Sequence, residues 1–255
     1  MKLTYLIFAV AGLFSFASQA IAADNYSLWP RRPEELERAR VLMQEQKWGE
    51  AVLLLQPFVA DEGIAGREAR QICGRVNVPR YLSRMHPGAT VYTVRRGDNM
   101  ARIAVTQKCP QDVIMMLNGI VEPSALQVGQ KLVVVPMRLR MEIRPLQREV
   151  SVWDGTQLVA AYTIESQDET PAAQRKSMKT KVTAREGVQD GHAVLPRSPK
   201  FFASDRLLRL ENGIWLTSVA NKRGSRGICL EQKDLNELAM MLDCGNEVQI
   251  IYPQP

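Results

Sequence analysis

Histidine is nearly missing from this sequence: His86 and His192 are the two in 255 residues. Neither has a Cys or His partner at metal-ligand spacing, so no metal site is expected. Cysteine is scarce as well, with Cys73, Cys109, Cys229 and Cys244. Aromatic residues make up 6%. No concentrated Lys/Arg patch carries interleaved aromatics, so nucleic-acid binding is not expected. Beyond the first two dozen residues no stretch is long and apolar enough to cross a membrane. What remains is ordinary. A hydrophobic content of 45% with 24% charged residues is that of a globular protein, and 255 residues suffice for one large or two to three small domains. The net charge of +6 favours an acidic partner such as an anionic polymer.

The N-terminus has the pattern of a secretory signal. Lys2 supplies a positive start, Tyr5 to Phe16 an apolar stretch, and Ala20-Ile21-Ala22 a small-residue cleavage site, with Ala23 a close alternative. Residues 1–22 are read as a signal peptide; the alternative is an uncleaved anchor, for which the apolar run is short. No cysteine lies near the cleavage site to carry a lipid. The protein is therefore expected to be exported, periplasmic or cell-wall associated, without stable membrane insertion after cleavage. In such an oxidising compartment four cysteines permit two disulfides, in three connectivities.

Helical spacing governs residues 33–82. Pro33, Glu34 and Glu35 suit a first helical turn, and Leu36, Ala39, Leu42 and Met43 form one apolar face. A second helix starts near Trp48, burying Ala51, Leu54, Leu55 and Phe58, and a third runs around Ala65 to Cys73. The run Lys47-Trp48-Gly49-Glu50-Ala51 with Leu54 resembles half of a tetratricopeptide repeat. A single such hairpin is too short for a repeat array and reads as a helical cap, with a protein-binding surface as the alternative. Met85-His86-Pro87-Gly88 marks a boundary.

Residues 91–136 alternate strand, helix, helix, strand. Val91 to Val94 is the first strand, Gly97-Asp98 a turn with Asp98 as the expected cap of a helix from Asn99, Gln111 to Leu117 a second helix ended by Asn118-Gly119, and Lys131 to Val135 the return strand. Tyr92-Thr93-Val94-x-x-Gly97-Asp98, Ile103-Ala104, Leu117-Asn118-Gly119-Ile120 and Leu126-x-Val128-Gly129-Gln130-x-Leu132 resemble the LysM domain family. The resemblance implies a βααβ module that binds N-acetylglucosamine polymers, peptidoglycan above all. The glycan would lie between Gly97, Asp98, Asn99 and Met100 on one loop and Asn118, Gly119, Ile120 and Val121 on the other. Met100 and Ile120 are expected to face the apolar side of a sugar ring. Asn99 and Met100 depart mildly from the usual Thr or Ser and Leu. A Cys73–Cys109 bond would link this module to the helical cap.

Residues 138–255 change to short alternating runs with one late helix, a mainly-β domain. Asp154-Gly155 is a hairpin signal, Lys179 to Ala184 reads as a strand, and His192 falls in an expected loop. Val150-x-Val152-Trp153-Asp154-Gly155, Leu158-Val159-x-x-Tyr162, the Thr170-Pro171 pair, Asp234, Leu238 and Gly245-Asn246-x-Val248-x-Ile250 resemble the L,D-transpeptidase catalytic domain. That family uses a Cys thiolate to form an acyl-enzyme, a His to activate it, and backbone N–H groups to hold the oxyanion. This chain departs at those points. Trp215 stands at the base position of Ile214-Trp215-Leu216-Thr217. In Ser225-Arg226-Gly227-Ile228-Cys229-Leu230 an Arg replaces the second His, Ile228 fills the nucleophile slot, and Cys229 lies one residue beyond it. A one-residue shift on a strand reverses the face.

The whole reads as a multidomain α+β protein: helical cap, LysM module and L,D-transpeptidase-like domain. The favoured function is a peptidoglycan-binding pseudoenzyme that needs no cofactor, with a protein partner for the helical segment left open. The alternative is an active cysteine L,D-transpeptidase that cross-links peptidoglycan stems or anchors proteins to them, with a rearranged site at Cys229. His192 is then the one histidine near enough in sequence to be considered as base.

Overall fold

The structure is a computed structural model that describes residues 34–195, 198–221 and 227–253. The proposed signal segment, Pro33, Ser225 and Arg226 lie outside these. Residues 33–255 form one compact unit, of mixed α+β composition, with helices at its N-terminal end and a mostly-β C-terminal half.

Three helices open it: α1 (Glu34–Gln44), α2 (Trp48–Leu55) and α3 (Ile64–Tyr81). Acidic residues crowd the first turn of α1, where the helix dipole favours them. Leu36, Ala39, Ala51, Val52, Leu55, Ala69 and Cys73 share an apolar cluster with Trp153 and Leu158 from the sheet. Trp48, the aromatic of the repeat-like run, is 47% exposed. The small Ala51 lets α1 and α2 close without it. The third helix is longer than its apolar pattern indicated, because it lies along a strand rather than on its neighbours alone.

A two-stranded antiparallel sheet follows, β1 (Thr90–Thr93) on β2 (Lys131–Val134), enclosing α4 (Met100–Gln107) and α5 (Gln111–Asn118). The βααβ order agrees with the sequence reading. Asn99, not Asp98, caps α4, its side-chain oxygen accepting from Arg102 N at 2.9 Å. Asp98 takes the hydroxyl of Tyr92 (2.7 Å) and the N–H of Arg95 (2.8 Å) and shapes the turn instead.

The remaining strands are β3 (Leu139–Arg144), β4 (Glu149–Asp154), β5 (Gln157–Thr163), β6 (Ser166–Gln167), β7 (Met178–Gln189), β8 (His192–Val194), β9 (Asp205–Leu210), β10 (Trp215–Thr217), β11 (Gly227–Cys229) and β12 (Glu247–Ile250). A helix, α6 (Gln232–Met241), joins the last two. They form a ten-stranded mixed sheet in the order β5-β4-β3-β12-β7-β9-β10-β11-β6, with β8 paired to β7. The β3–β12 and β10–β11 pairs are parallel.

Two contacts bind the parts into one body. Helix α3 lies on β5 so closely that a Cβ on Gly74 would stand 2.5 Å from Ala161 N, so no residue with a side chain fits there without movement. Asn77 Nδ2 donates to Leu158 O (2.7 Å) and Tyr81 Oη to Gln157 Oε1 (2.6 Å) along the same line. This covers the β5 edge, which would otherwise offer unpaired backbone groups. Beneath the helices lies a layer of buried charge. Arg70 Nε meets Glu149 Oε1 at 2.6 Å with both side chains fully buried, and Arg144 bridges Glu142 (2.7 Å) and Glu149 (3.7 Å).

The second contact joins the βααβ segment to the sheet. Asp112 on α5 accepts from Arg185 on β7 and Arg206 on β9, and Arg185 also meets Asp243 at 2.6 Å. Phe201 packs under both guanidinium groups, 5.6 and 5.1 Å from its ring centre. Val94, Ile103, Ile114, Met141, Ile143, Leu207 and Leu235 belong to one apolar cluster, so the segment and the sheet share a core.

Candidate functional site

Thr93 pairs with Lys131, so the chain leaving β1 and the chain entering β2 emerge from the same end of the small sheet. Val94 N to Gln130 O (2.9 Å) and Gly129 N to Val94 O (2.8 Å) continue the pairing one step beyond it. The first loop singled out in the sequence, 97–100, follows this strand end; the second, 118–121, follows α5 and is tied to β2 through the Asn118 amide at Val133. Gly97 and Gly119 hold positive φ of 87° and 63°, a conformation strained for other residues, and no atom lies within 4 Å of a Cβ built on either. Their backbones are thus open to a ligand. Gly97, Asn99, Gly119 and Val121 are exposed, and Asp98 and Ile120 are half-buried. The Tyr92 hydroxyl and the Arg95 N–H hold the Asp98 carboxyl below its ordinary range. It stays an anionic acceptor.

Two of the eight residues have other duties. Met100 is 1% exposed and packs in the core, so it presents no side chain to a sugar. Its place on the first turn of an amphipathic helix points it inward. Asn118 spends its amide on structure: Nδ2 donates to Ile114 O (2.7 Å) and Val133 O (2.8 Å), and Oδ1 accepts from Val133 N (2.8 Å). It mimics a third strand on the outer edge of β2. The exposed apolar surface beside the loops comes from Val121 and Val128, each 71% exposed.

Cys229 is a strand residue. It lies in β11, between Thr217 of β10 and Ser166 of β6, and is 1% exposed. Side chains alternate across a strand, so Ile228 and Cys229 face opposite sides of the sheet. Ile228 lines a cavity of about 380 Å³ bounded also by Gly227, Ile214 and the Thr170-Pro171 loop; Cys229 is not among its walls. Trp215 pairs with Gly227, and Arg209 lies 5.7 Å from its ring centre.

His192 is in a strand, not a loop. Asp190 and Gly191, both at positive φ, turn β7 back into β8, and Gln189 pairs with His192. The side chain is exposed. From β8 the sheet passes through β7, β9 and β10 before it reaches β11. Four strand spacings of about 4.8 Å put His192 on the order of 19 Å from Cys229 along the sheet. No thiol–imidazole pair exists there. All four cysteines are unbonded, and the Cys73–Cys109 link that the sequence left open is not formed. They belong to different apolar clusters. Burial pushes the Cys73 thiol up to about 12 and that of Cys109 to about 11, so neither is a thiolate at neutral pH.

Among the described residues no group of three or more His, Cys, Asp or Glu could hold a metal, and no helix is long and apolar enough to cross a membrane.

Residues 92–135 match the LysM domain family, whose members bind peptidoglycan and related N-acetylglucosamine glycans. No curated protein matches the chain. Among solved structures the chain is similar to Bd1075 of Bdellovibrio bacteriovorus, at 16% identity and a TM-score of 0.33. That match covers 45% of this chain and 48% of that one, about half of each.

Proposed function

We propose that this is an exported peptidoglycan-binding protein, periplasmic or wall-associated, built from a helical segment (33–82), a LysM module (91–136) and a C-terminal domain (138–255) that resembles L,D-transpeptidases without their chemistry. The observation that carries the binding role is the LysM match over 92–135. Glycan is held between its two loops by the exposed backbone of Gly97 and Gly119 and the side chain of Asn99, with Ile120 and Val121 against the apolar face of a sugar ring. The absence of chemistry rests on Cys229, which is buried and turned from the neighbouring cavity, and on His192, which lies strands away.

Co-sedimentation with purified sacculi tests the binding. Val121→Asp puts a charge at an exposed site outside the core and is expected to leave folding intact while weakening pelleting about tenfold, the loss of roughly one good apolar contact. Unchanged pelleting would place the glycan elsewhere. A carbapenem or tetrapeptide muropeptide adduct, seen by intact mass and lost in Cys229→Ala, would overturn the non-catalytic reading.

A further inference from the structure

The chain around the first LysM loop is cationic. Residues 95–102 carry Arg95, Arg96 and Arg102 against the one carboxylate of Asp98, an excess of two positive charges. All three arginines are exposed. Asp98 pairs with none of their guanidinium groups. Its Oδ2 accepts from the Tyr92 hydroxyl and the Arg95 backbone N–H, and among the described residues none of the three arginines forms an ion pair. Arg95 and Arg102 still stand near enough to help hold the Asp98 carboxyl low. Arg102 Nη1 lies 3.5 Å from Gly97 O, the limit of a hydrogen bond, so the guanidinium sits beside the open backbone of Gly97 with donors to spare. Lys131, opposite Thr93 at the strand end that the loop follows, is exposed as well. One exposed cation is ordinarily just solvated. Here several border the same proposed groove.

We propose that this cationic rim binds carboxylates carried by the glycan, so that the LysM loops select an acidic, substituted strand over a neutral N-acetylglucosamine polymer. The inference rests on the glycan-binding reading of the same loops. A guanidinium fork matches a carboxylate bidentately, and such charge-assisted pairs are the strong ones. Glu122 follows Val121 on the second loop and is exposed. It repels the same groups, so the acidic substituents lie toward residues 95–102. Peptidoglycan offers such carboxylates from two sources, the lactyl group of its muramic acid and the free carboxyls of its peptide stems.

Isothermal titration of the purified full chain decides it with three tetrasaccharides. They are neutral chitotetraose, the peptide-free alternating N-acetylglucosamine–N-acetylmuramic acid sugar, and that sugar bearing tetrapeptide stems. At least one acidic sugar is expected to bind about tenfold tighter than chitotetraose. A gain already present without peptide assigns the lactyl carboxyl; a gain that needs the stems assigns theirs. Arg96→Gln/Arg102→Gln is expected to lose the gain while keeping the Tm and the chitotetraose affinity. Arg38→Gln/Arg75→Gln makes the same charge change at exposed positions of α1 and α3 and is expected to keep the gain. Equal affinity for neutral and acidic sugars, a gain that survives in Arg96→Gln/Arg102→Gln, or one lost equally in Arg38→Gln/Arg75→Gln would overturn the proposal and leave glycan binding standing. No binding of any of the three sugars would overturn both.

Discussion

Replacing Arg70 by Met keeps much of the volume and removes one buried charge. Arg70 gives Nε to Glu149 (2.6 Å), Nη1 to Val59 O (3.0 Å) and Asp61 O (2.6 Å), and Nη2 to Gln147 (3.0 Å). After the change Glu149 keeps one guanidinium, Arg144, at 3.7 Å. Breaking a buried pair from one side costs about 3–5 kcal/mol, because the other charge stays desolvated. For a body of this size that is a fall in Tm of roughly 6–20 °C. The pH dependence has a definite sign. Burial already raises the Glu149 carboxyl above its usual range, against the pull of Arg70. Without Arg70 the folded-state pKa rises further. A carboxyl whose folded pKa exceeds its unfolded value favours folding at low pH and loses that contribution as pH rises through the folded pKa. The gap between Arg70→Met and wild type should therefore be widest near neutrality and narrow towards the unfolded carboxylate pKa. Urea unfolding by circular dichroism across that range measures it. The double variant Arg70→Met/Glu149→Met should recover most of the loss, since both charges are gone. A double variant no more stable than Arg70→Met, or a gap independent of pH, would refute the account.

Three further outcomes are expected. Asp112→Ala leaves Arg206 buried without its carboxylate and should cost about 3 kcal/mol, read as a lower Tm, while Arg185 keeps Asp243. Asn118→Ala removes two hydrogen bonds at the edge of β2 and one to Ile114 O of α5, and should lower stability by about 1–3 kcal/mol; weaker sacculus binding at an unchanged Tm would instead make Asn118 a glycan ligand. Under native conditions a thiol reagent should label Cys244 alone, because Cys73, Cys109 and Cys229 are buried, and mass spectrometry should find the other three only after unfolding.

The βααβ segment was legible because its determinants are local. Gly97, Gly119 and Gly129 hold positive φ at its turns, and Asn99 sits immediately before the helix it caps. The strand that carries His192 was misread although its signal was present. Asp190-Gly191 is the same hairpin dipeptide as Asp154-Gly155, but its flanks are polar: β8 exposes His192 and Ala193 and contributes little to the core. Twelve-residue β7 was half read for the same reason, since Arg185 and Glu186 occupy its middle, where Arg185 serves an ion pair rather than an apolar face. Asp112 and Arg206 lie 94 positions apart, and Arg70 and Glu149 lie 79 apart. No spacing rule reaches that far. The cavity beside β6 was equally hidden, with walls drawn from five stretches between Pro145 and Tyr252.

Those long-range pairs also alter what the helical segment and the LysM module mean for the whole. The sequence read as modules joined by linkers, an arrangement in which domains move freely. In the structure α3 covers the β5 edge and supplies the partner of a charge buried in the sheet, and α5 supplies a carboxylate that pairs with two guanidinium groups on β7 and β9. Neither contact can open without exposing or stranding a buried charge, which opposes separation more strongly than a polar interface between independent domains. The LysM loops thus point in a fixed direction from the sheet. On the proposed function, a glycan strand held there would meet the protein in one orientation, and its binding should leave the ion pairs of Asp112 in place.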